Sequence, residues 1–170
     1  MNSVKTRLKT VLFDALMFII ALLLQYNPLF SLKIAGANPM LPLCVLIVVS
    51  MFSSEFYSFL WGLVAGVFAD SASGAGFGFN TIAFMLTAFA VSFIVHYLFN
   101  NNVRSAAALS ILAAFFYFAL RWLFSSVFGH TVNDSFVYLY RNAIPSTVYT
   151  AIVTVPLYLI KKKLMSSIKQ

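Results

Sequence analysis

Six apolar runs, separated by breaks carrying charge, proline, glycine or asparagine, set the pattern of the chain; they cover 11–24, 41–52, 56–69, 82–99, 106–128 and 144–160. None of them alternates polar and apolar residues in the way a barrel strand must, so each is predicted as a helix that closes its own backbone hydrogen bonds. With their flanks, the helices are expected over about 11–29, 40–53, 56–70, 80–99, 105–128 and 143–160.

Composition narrows the solvent. Of 170 residues, 62% are hydrophobic and 9% charged, against roughly 25% charged in a soluble domain. Such a surface does not stay dispersed in water, so lipid is the solvent. A crossing of the ~30 Å hydrocarbon core takes about 20 residues, which allows at most about eight crossings. The expected fold class is all-α: a polytopic integral membrane protein, a compact bundle of about six transmembrane helices forming a single domain over residues 1–170.

Charge orients that bundle. The net charge of +7 would suggest nucleic acid in a soluble protein, but the basic residues are not interleaved with exposed aromatics as a nucleic-acid groove requires. Lys5, Arg7 and Lys9 precede the first run, while Lys161, Lys162, Lys163 and Lys169 follow the last. Arg104 joins them on the same predicted side; Lys33 and Arg141 fall in predicted outer loops. The positive-inside rule then places both termini in the cytoplasm, with the terminal lysines at anionic headgroups. An even number of crossings agrees. The basic start followed by Ala35-Gly36-Ala37 superficially matches a secretory signal, but that site lies well past the apolar run, and the segment is expected to stay. Cys44 is the single cysteine, so it forms no internal disulfide.

The second and third runs are short. Separated by Ser53, Ser54 and Glu55, they fit either two short spans or a hairpin re-entering from outside.

Candidate chemistry is sparse. Gly62, Gly66 and Asp70 recur every fourth residue and form one stripe on the third helix, where the absent side chains allow another helix to approach closely, either within the chain or from a partner. Asp70, ending that stripe, should reach interfacial water, an amide of the glycine-rich 73–78 loop, or a cation; Arg121 and Arg141 are the candidate partners for an outer ion pair. Gln25, Tyr26, Asn27, Asn80, Asn142 and Ser146 collect at the outer side, as a polar cavity or as helix-end residues. Asp14 lies close enough in sequence to Lys9 to suggest a pair. His96 and His130 fall at opposite ends, and no phosphate-cradling loop, CxxC or His-Glu metal pair occurs. No enzyme activity, cofactor or metal is therefore expected.

The stretch from Trp61 to Asp70, containing Gly62 and Gly66, with Gly78 starting the next helix, resembles the bacterial rod shape-determining MreD family. Asn38-Pro39-Met40-Leu41-Pro42 and Arg141-Asn142-Ala143-Ile144-Pro145, with Pro156 before a basic tail, are similar to that family's proline-marked helix starts. The resemblance implies a non-enzymatic subunit of the cell-elongation complex in the bacterial cytoplasmic membrane. Its implied partners are MreC, MreB, RodA and a class B penicillin-binding protein. Carried over residue by residue, it singles out Gly62, Gly66, Asp70, Gly78, Arg141 and Pro145 for helix packing or partner binding.

The competing reading is a substrate-binding subunit of an energy-coupling-factor vitamin transporter, whose general fold the bundle would share. That class presents A-x-x-x-A on helix one, whereas Ala15 and Ala21 here are six apart.

Overall fold

The computed structural model describes residues 2–26, 40–73, 78–98, 101–128 and 144–168, and within these every regular element is an α-helix. They are α1 (Asn2–Tyr26), α2 (Leu41–Met51), α3 (Glu55–Ser73), α4 (Phe79–Tyr97), α5 (Val103–Phe128) and α6 (Ile144–Ile168). Among the described residues, α1, α4, α5 and α6 are long and apolar enough to cross a membrane. The outer faces are what lipid demands: Leu12 and Leu16 on α1, Phe68 on α3, Phe115 on α5 and Ile152 on α6 are all exposed. The chain is thus an all-α polytopic membrane protein.

α2 forms the axis. All of its residues are buried, and it touches each of the other five helices. Its 11 residues span about 16 Å, half a hydrocarbon core. That shortness costs nothing in lipid mismatch because lipid never reaches it. Its ends are capped by side chains of other segments, as buried helix termini require. Gln25 Oε1 accepts from Leu41 N at 3.0 Å, and Asn101 Nδ2 donates to Met51 O at 2.8 Å. Pro42 stands in the first turn, where a missing N–H is harmless.

Those caps fix the direction of α2, from the end of α1 to the α4–α5 junction. The α2–α3 turn lies at that second end, since Ser92 of α4 donates to Ser53 O at 2.8 Å and His96 lies 3.6 Å from Glu55. The α2–α3 hairpin therefore runs the depth of the bundle. Tyr158 of α6 closes the same end, donating to Asn101 at 2.9–3.0 Å.

α1 and α3 run parallel with a constant offset. Phe18 stacks on Trp61 with centroids 5.5 Å apart, and the Tyr26 hydroxyl donates to Ala69 O at 3.3 Å, each pair 43 positions apart. On α1 the buried stripe is Asp14, Phe18 and Ala21, at the i, i+4, i+7 spacing of one face.

The end helices depart from the sequence expectation. α1 begins at Asn2 rather than near 11, and α6 continues to Ile168, through Pro156 and the lysines, rather than stopping near 160. Propagating the helix satisfies backbone groups that a frayed end would leave bare, which the apolarity of single residues does not register.

Candidate functional site

The α3–α4 seam is built on absent side chains. A Cβ at Gly62 would lie 2.7 Å from Phe84 O, and one at Gly66 would lie 2.2 Å from the Thr81 Cα. Backbone meets backbone there. The stripe of Gly62 and Gly66 faces α4 of the same chain.

At the end of the stripe, Asp70 caps the neighbouring helix. Its Oδ1 accepts from Asn80 N at 3.0 Å, while Oδ2 accepts from Thr81 N at 3.0 Å and Thr81 Oγ1 at 2.7 Å. A helix leaves its first amides without partners and carries partial positive charge at that end, so an acid is favoured there. Gly78 holds the N-cap position at φ +66°, with no side chain to cap for itself. Asn80 passes the network inward, its Oδ1 accepting from the fully buried Tyr117 hydroxyl at 2.6 Å. The sequence offered Asp70 interfacial water, an amide of the 73–78 loop or a cation; the amides it holds belong instead to Asn80 and Thr81, in the first turn of α4. Arg121 and Asp70 both lie within electrostatic reach of Tyr26. Pro145 stands half-buried in the first turn of α6; Arg141, Asn27, Asn142, His130 and the 74–77 glycine loop lie outside the described residues.

The second polar centre was not legible as such. Lys161 donates to Asp14 Oδ1, and both side chains are buried, at 1% and 0% exposure. This corrects two expectations, Lys161 at the headgroups and Asp14 paired with Lys9. Residues five apart are rotated about 140° on a helix, so Lys9 cannot share the face of Asp14. The signal available was the acid itself: a carboxylate inside an apolar helix needs a cation at its own depth.

Between α1 and α3 lies an open apolar groove of about 770 Å³, floored by Phe18, Trp61, Ala65 and Phe68. Among the described residues no group of three His, Cys, Asp or Glu side chains could hold a metal ion.

A buried axial helix, a glycine seam and polar groups spent on capping define a helical-bundle membrane protein whose conspicuous polar geometry serves assembly. The chain belongs to the MreD family: a family model described as rod shape-determining protein MreD matches residues 5–168. Its role is in rod-shape determination, in association with the rod-shape machinery. No curated protein and no solved structure matches the chain.

Proposed function

We propose that the chain is a non-enzymatic subunit of the bacterial cytoplasmic membrane, with both termini in the cytosol, that scaffolds MreC and the lateral peptidoglycan synthesis machinery. MreB, RodA and a class B penicillin-binding protein are the further partners. The family match over residues 5–168 carries this reading, and the basic residues in the first turns of α1 and toward the end of α6 support the orientation.

Because α4 fills the Gly62–Gly66 stripe, the face left for the transmembrane helix of MreC is the aromatic-floored groove between α1 and α3. In lipid, helices associate through close packing rather than hydrophobic burial, so a shaped groove is what a partner helix can use. Ala15 and Ala72 line it; Ala15→Trp and Ala72→Trp fill it without touching the α3–α4 seam. Co-purified MreC is expected to fall strongly in both variants while their thermal unfolding stays close to that of the parent. Undiminished MreC would remove the groove as the docking face.

A further inference from the structure

The Asp14–Lys161 pair is incompletely satisfied. An ionised carboxylate offers about four lone-pair positions, and among the described residues Asp14 Oδ2 has no hydrogen-bond partner although it is buried. The α1–α3 offset that sets Phe18 against Trp61 sets Asp14 against Tyr57, one turn earlier on each helix. Tyr57 lies within electrostatic reach of Asp14, and its buried hydroxyl has no acceptor for its proton among the described residues. The Trp61 indole beside it can only donate, so it cannot take the phenol proton.

An acceptor without a donor and a donor without an acceptor thus stand at matching register positions of α1 and α3. A buried ion pair is tolerated in a low-dielectric interior only when its remaining lone pairs are engaged. The pair sums to zero charge, so a cation is opposed by Lys161 and an anion by Asp14. What remains is a small neutral group that both donates and accepts. We infer that a water molecule is held between Asp14 Oδ2 and the Tyr57 hydroxyl, making the α1–α3–α6 junction an internal hydration site. It completes the clamp that holds α1 to α6, independently of what occupies the groove above it.

Radiolytic hydroxylation of the full-length protein in lipid nanodiscs tests this, because radicals made from bound water oxidise the side chains touching it. Tyr57 is expected to be modified several-fold faster than Phe84, which is 1% exposed. In the Asp14→Leu/Lys161→Met double variant, which removes the water's charged partners, that rate falls several-fold. Tyr57→Phe, which keeps the ring, is expected to lower the Tm by about 2–4 °C through loss of the water's anchor. Tyr57 labelling no faster than Phe84, a rate unchanged in the double variant, or a Tm raised by Tyr57→Phe would each overturn the inference. The last outcome would show the hydroxyl to be unpartnered, since removing a solitary buried donor relieves a cost.

Discussion

A methyl group at Gly66 would stand 2.2 Å from the Thr81 Cα and 2.7 Å from its nitrogen, both backbone atoms that no rotamer change can move. Gly66→Ala must therefore push α4 away, and Thr81 is, with Asn80, a residue through which Asp70 holds that helix. Overpacking of this kind costs about 1–3 kcal/mol, and loss of the cap adds to it. Gly78→Ala meets no atom within 4 Å, so its cost is the left-handed backbone alone, about 1–2 kcal/mol. Unfolding of the purified protein in detergent should rank Gly66→Ala as the more damaging of the two. Asp70→Ala, which strands the Asn80 and Thr81 amides, should cost about 2 kcal/mol, and Asp70→Asn less, since an amide oxygen still accepts one bond. An Asp70→Ala protein as stable as the parent would show that the cap is dispensable.

Between elements, the Asp14–Lys161 pair is the tie that joins α1 to α6. Removing one partner leaves the other buried and unpaired, so Lys161→Met alone should destabilise by about 3–5 kcal/mol. The Asp14→Leu/Lys161→Met double replacement should recover most of that loss. Measuring both single variants and the double closes a cycle whose coupling energy is the test; additive effects would mean the residues act separately. Sequence alone could not reach this pair, because Lys161 sits beside Lys162 and Lys163 and reads as tail. Which lysine of three turns inward depends on α6 continuing past residue 160, and that depends on what α6 packs against. The glycine stripe and Asp70 were legible because their spacing within α3 is itself the geometry. Their neighbour was not: periodicity names the face of a helix but not the helix that covers it, and the first turn of α4 covers this one. The apolarity of α2 was equally plain, whereas its place at the axis was not, since a buried helix and a short membrane span share one composition.

At the scale of the whole molecule, the course of the α2–α3 hairpin decides which side of the membrane its turn faces. Gln25 and Thr150 contact the start of α2, while Asn101 holds its end. Asp14, at the middle of α1, meets Lys161, which lies nearer the C-terminus of α6. The turn at Ser53 and Ser54 thus shares an end of the bundle with the α4–α5 junction and with the proposed cytosolic termini. Ser54 is exposed there. The native thiol, Cys44, is 0% exposed, so an added cysteine would be read against a silent background. A Ser54→Cys variant is expected to react with a membrane-impermeant maleimide applied from the cytosolic face of inverted vesicles, and to be protected in intact spheroplasts. The opposite pattern would invert the orientation proposed for the entire bundle, because one rigid course through the core fixes every later turn relative to this one.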